Sequence, residues 1–94
     1  MADTPKTTTI TIDPPISANG GKYDTLNLRE FTVGERIKSE THHGTNQQFV
    51  ALIVSVSGWP EAAVRMLPMS AFNEAVSFLA PFLMAGLETG ETSA

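Results

Sequence analysis

The sequence predicts an α+β fold: an N-terminal antiparallel β-hairpin packed on three to four short α-helices. Two observations carry that prediction. Two short segments with alternating apolar residues, Thr7–Ile12 and Tyr23–Arg29, flank the turn sequence Ala18-Asn19-Gly20-Gly21. From Thr32 onward, apolar residues recur at three- and four-residue spacing, the period of a helix rather than a strand. The length of 94 residues allows one domain, which we place at residues 7–87, with flexible tails at 1–6 and 88–94.

The first strand is read from Thr7-Thr8-Thr9-Ile10-Thr11-Ile12, whose β-branched residues suit a pleated strand and put Ile10 and Ile12 on one face. Asp13-Pro14-Pro15 should end the pairing, because neither proline has an N–H to donate. After the Asn-Gly turn, Leu26 and Leu28 face inward on the second strand. A bare hairpin is marginal in water, so helices should cover its Ile/Leu face.

Thr32-Val33-Gly34-Glu35 has capping-box spacing and predicts a helix from about Val33 to Thr41, with Val33 and Ile37 on its inner face. Gly44 should end it in a left-handed conformation. Thr45 to Gln48 repeats the capping spacing and opens a second helix. There Phe49, Leu52, Ile53 and Val56 fall at i, i+3, i+4 and i+7, widened by Val50 and Val54. Its β-branched content leaves a buried strand as the competing reading; period and cap favour the helix.

Ser57-Gly58 stops that helix, and Pro60 starts two turns to Met66 that present Ala63, Met66 and Leu67. A last helix begins near Met69, with Phe72, Ala75, Val76, Leu79 and Leu83 on one face. Pro81 should kink or end it, having no N–H for the Ser77 carbonyl.

Composition narrows the function. Charged residues make up 17% of the chain, against about 25% in typical domains, and a weakly charged surface favours association. Net charge is −4, and Lys6, Lys22, Arg29, Arg36, Lys38 and Arg65 form no basic stripe, which argues against nucleic-acid binding. There is no cysteine, so disulfide and thiol chemistry are excluded. The polar, Thr-rich start lacks the apolar region of a secretory leader. The uncharged run Ala75–Leu87 has 13 residues, short of the roughly 20 that cross a bilayer.

No catalytic or cofactor motif appears. His42-His43 would need a third donor to hold a metal, and two solvated histidines at a helix end is the stronger reading. Glu30, Glu35 and Glu40, five residues apart, spiral around a helix rather than converge. Trp59 suits a plug between helices better than an exposed anchor, and Met66 and Met69 suit core filling better than an adaptable binding surface. The segment Phe78–Leu87 differs: eight of its ten residues are apolar. Leu79 and Leu83 belong to the core stripe, whereas Phe78, Phe82 and Ala85 form a second face. Either the hairpin covers that face or another chain does.

Two blocks of residues together resemble a known family. The first is Asp13-Pro14-Pro15-Ile16, Asn19-Gly20-Gly21, Leu26 to Glu30 and Thr32 to Glu35. The second is Ser57-Gly58-Trp59-Pro60, Val64, Leu67-Pro68, Phe72-Asn73-Glu74 and Phe78-Leu79. In order and spacing, over about Thr9 to Leu83, they resemble the small tail assembly chaperones of long, contractile-tailed bacteriophages of the Mu-like type. His42–Gln48 matches no family pattern.

The resemblance implies a non-enzymatic factor without cofactors, working in the host cytoplasm and absent from the finished virion. It would bind the tape-measure protein, self-associate, and exist alongside a longer frameshifted form of itself. The alternative is a small structural virion protein, a tail-completion or connector subunit. The expected contact residues are Phe78, Phe82, Leu83, Met84 and Leu87, with Trp59 and Met66 as second candidates.

Overall fold

A computed structural model of the protein describes residues 7–93, with side-chain surroundings through Leu83. The hairpin is as predicted: β1, Thr7–Ala18, pairs antiparallel with β2, Gly21–Arg29. Asn19 and Gly20 take φ of 50° and 80° in the two-residue turn between them, the left-handed pair that matches the twist of a tight hairpin.

β1 corrects one expectation. Pairing lapses at the prolines but resumes beyond them, Thr11 opposing Thr25 and Ile16 opposing Tyr23. Four β1 residues therefore face one on β2. Such a bulge bends the strand and re-aims side chains. Ile16 is returned to the buried face beside Ile10 and Ile12, and Tyr23, out of step with Leu26 and Leu28, reaches the core edge. The opposite face is wet, lined by Thr7, Thr9, Thr11, Thr25 and Asn27, with the Thr9 hydroxyl donating to the Asn27 side-chain carbonyl at 2.9 Å.

Four helices follow: α1, Val33–Ser39; α2, Thr45–Ser57; α3, Glu61–Arg65; and α4, Met69–Ser93. α2 is the central one, packed on β2, α1 and α3. Its Phe49, Leu52, Ile53 and Val56 are buried as the period predicts. The N-cap is Gly44 rather than Thr45, with no side-chain cap. Gln48 instead reaches back to the His42 carbonyl at 3.1 Å. Gly44, expected to close α1, therefore opens α2. Gly58 ends α2 at φ 78°, as expected.

α3 and α4 lie on β1 and complete the core with Ala63, Val64, Leu67, Ala71, Phe72, Ala75 and Leu79. Met66, expected inward, is 55% exposed. It caps α3, where the chain has already left the helix (φ −92°, ψ 0°), so it falls off the Ala63–Leu67 face. α4 passes through Pro81 instead of ending there. Proline removes one backbone bond, and both Pro81 and Ser77 are exposed, so water can serve the freed carbonyl.

Of the expected tails, residues 1–6 lie outside the described residues, and α4 carries helical backbone into the other.

Candidate docking surface

α1 has the smallest apolar anchor of the four helices, yet it defines the surface. Among its residues only Ser39 is buried, and the Ser39 hydroxyl donates to the Arg36 carbonyl at 2.6 Å. The capping box forms as its spacing predicts: the Glu35 amide donates to the Thr32 hydroxyl at 3.2 Å, and the Thr32 amide to Glu35 Oε1 at 2.8 Å. The same carboxylate accepts both arms of Arg29, at 2.9 and 2.7 Å. Arg29 also donates to the carbonyls of Glu30 and Ser55 at 3.1 and 3.3 Å. One guanidinium thus ties the end of β2 to the start of α1 and to α2. The Arg29 partnership, with the Thr32 amide, holds the Glu35 carboxyl down at about 2 against its ordinary 4.5.

This clamp fixes the rotation of α1. Glu35 and Ser39, one turn apart, face the body, so Val33 and Ile37 point the other way. They are 76% and 60% exposed, which overturns the expectation of an inner face. They continue an aromatic row. Phe31, just before α1, meets Phe82 of α4 edge-on at 6.2 Å, and Phe82 meets Phe78 at 5.4 Å. Edge-to-face pairs at such spacing are favourable beyond the area they bury. All three rings are half-buried. Phe31 and Phe82, the latter backed by Phe78, border an open groove between α1 and α4, lined by Glu30, Phe31, Thr32, Val33, Arg36, Ile37, Glu40 and Phe82.

Among the sequence-predicted contact residues, Phe78 and Phe82 lie together on this surface. Leu83 sits behind it, in a separate cleft with Phe49 and Leu52, divided from the groove by the Arg36–Glu40 pair that lines both. The side chains of Met84 and Leu87 lie outside the described residues. Trp59 is a core residue, 7% exposed. It packs on Tyr23 at 5.1 Å and donates its indole N–H to the Thr25 carbonyl at 3.2 Å, beside the register break. Met66 is exposed but lines no wall of the groove. Phe31, Val33 and Ile37 are the residues that sequence reasoning missed. Their signal was three apolar residues bracketing a cap whose carboxylate has a cation six positions upstream.

A family model described as phage tail assembly chaperone proteins, E, or 41 or 14, matches residues 9–84. The chain belongs to the phage tail assembly chaperone family. The match runs from β1 to within α4 and takes in every described residue of the surface; it carries the family and not the Mu-like, contractile-tailed subtype. No curated protein and no solved structure matches the chain. Membership points to a non-enzymatic role and to binding of other tail proteins. Among the described residues no three His, Cys, Asp or Glu side chains gather as a metal site, and no helix is long and apolar enough to cross a membrane. His42 and His43 are both exposed.

Proposed function

We propose that this chaperone binds the tape-measure protein during tail morphogenesis, seating an amphipathic helix of that client on the apolar surface between α1 and α4. The observation that carries the reading is the Phe31–Phe82–Phe78 row continued by outward-facing Val33 and Ile37. A client helix offers anchors at i, i+3, i+4 and i+7, and a groove between two helices receives them. Large apolar side chains kept in water by the chaperone alone are covered in the complex, which favours association without directional bonds. No covalent step is required, and release follows when tube subunits compete for the same helix. The chaperone acts in the host cytoplasm and leaves before the virion is complete.

The test is co-expression with the tape-measure protein, followed by affinity purification. Wild type should retain the client. Val33→Gln with Ile37→Gln, at two exposed positions, should release it without unfolding the chaperone, and Phe82→Asp should do the same. If both variants keep the client, the surface lies elsewhere, and the exposed Met66 and Met69 are next. Stoichiometric recovery of the chain in purified particles by mass spectrometry would instead support a structural virion subunit.

A further inference from the structure

The charges around the groove restrict what can occupy it. α4 contains three glutamates, Glu74, Glu88 and Glu91, and no lysine, arginine or histidine. Glu74 is exposed one turn before Phe78, on the same stripe as Phe78 and Phe82. Across the groove the charged wall residues are Glu30, Arg36 and Glu40. Arg36 pairs with Glu40 at 3.4 Å, and neither Glu30 nor Glu74 has an ion-pair partner among the described residues.

The remaining described cations are engaged or placed elsewhere. Arg29 is held by Glu35 and Arg65 by Glu61, each at 2.7 Å. Lys38 lines a different cleft, with His42 and Glu61, and Lys22 sits at the hairpin turn. The groove wall therefore carries one uncompensated carboxylate, Glu30, and the Phe82–Phe78 stripe that extends it along α4 carries a second, Glu74.

From this charge pattern we infer that the occupant is an amphipathic helix whose apolar stripe is bordered by lysine or arginine; the inference rests on the docking surface proposed above. Complementary rim charges speed encounter and fix orientation while the apolar stripe supplies most of the affinity. The same pattern opposes a second copy of this chain. Two copies meeting through this face would set one net-acidic surface against another, with no cation on α4 to offset it.

The experiment measures binding of synthetic amphipathic helices to the full chain at low salt. The peptides share one leucine stripe and carry lysine, glutamine or glutamate along its borders. The lysine peptide should bind about tenfold tighter than the glutamate peptide, as expected for two or three exposed charge contacts. The gap should narrow at about 1 M salt, where the Debye length falls to about 3 Å. It should close in the Glu30→Gln, Glu74→Gln double variant, and Ile37→Gln should weaken all three peptides alike.

Equal binding of the lysine and glutamate peptides would overturn the charge inference while leaving the docking surface intact. A preference that survives in the double variant would overturn it too, by placing the acidic partner elsewhere. If no peptide binds, the docking surface itself is wrong. A wild-type dimer that Ile37→Gln dissociates would make a second copy the occupant.

Discussion

At the scale of single residues, one carboxylate carries the placement of α1. Glu35 accepts the Thr32 amide and both arms of Arg29. Its carboxyl lies at about 2, below the ordinary 4.5. A depressed carboxyl contributes stability above the unfolded value and loses it as pH falls toward the folded one, so this contribution should fade between pH 4.5 and about 2. The full shift would overstate the effect, since the Arg29 side chain is 44% exposed and the pair is screened. We expect Arg29→Ala to lower the unfolding free energy by about 1 kcal/mol at pH 7 and to flatten the stability profile below pH 4.5. Urea titrations from pH 7 to 2 measure both. A variant whose acid profile matches wild type would show that the clamp holds nothing. The capping box was legible in the sequence because its spacing is local. Arg29 was not, because the bond crosses a loop in which no period links the two residues.

At the scale of elements, helical spacing revealed stripes but not their direction. α2 was readable because its stripe is broad and continuous, and such a face has nowhere to go but inward. α1 offers only Val33 and Ile37 at i and i+4, a pair equally consistent with either side, and the clamp turned it outward. Val33→Gln with Ile37→Gln should therefore leave the melting temperature within a few degrees of wild type, since surface changes usually stay within about ±0.5 kcal/mol. A large fall would return these residues to the core. α4 allows the converse. Pro81 costs the helix one backbone bond at an exposed position. Pro81→Ala should restore the bond to the Ser77 carbonyl, raising helicity and stability by about 1–3 kcal/mol in thermal melts followed by circular dichroism. A lower melting temperature would mean that the ring is packed against something.

At the scale of the whole molecule, hairpin and helices depend on one another. Among the described residues the Ile/Leu face of the two-stranded sheet has no second sheet to cover it, and α2, α3 and α4 do so instead. That dependence was legible, because a hairpin with one greasy face cannot stand alone. The resumed pairing past Pro15 was not, because proline marks only where a ladder lapses. The expected consequence is one cooperative unfolding transition of modest stability: at about 0.05–0.15 kcal/mol per residue, a chain this size should have roughly 5–14 kcal/mol. Leu79 is 0% exposed, and Leu79→Ala should cost about 2–5 kcal/mol, a large share of that total. The single tryptophan provides a probe for the hairpin side, since Trp59 packs on Tyr23 and bonds the Thr25 carbonyl. Circular dichroism provides one for the helices. In Leu79→Ala both signals should shift to lower denaturant together, although Leu79 is on α4 and Trp59 precedes α3. Two separated transitions, with the tryptophan signal unmoved, would show that the hairpin with Trp59 stands without α4, and would remove the reason for reading the helices as its cover.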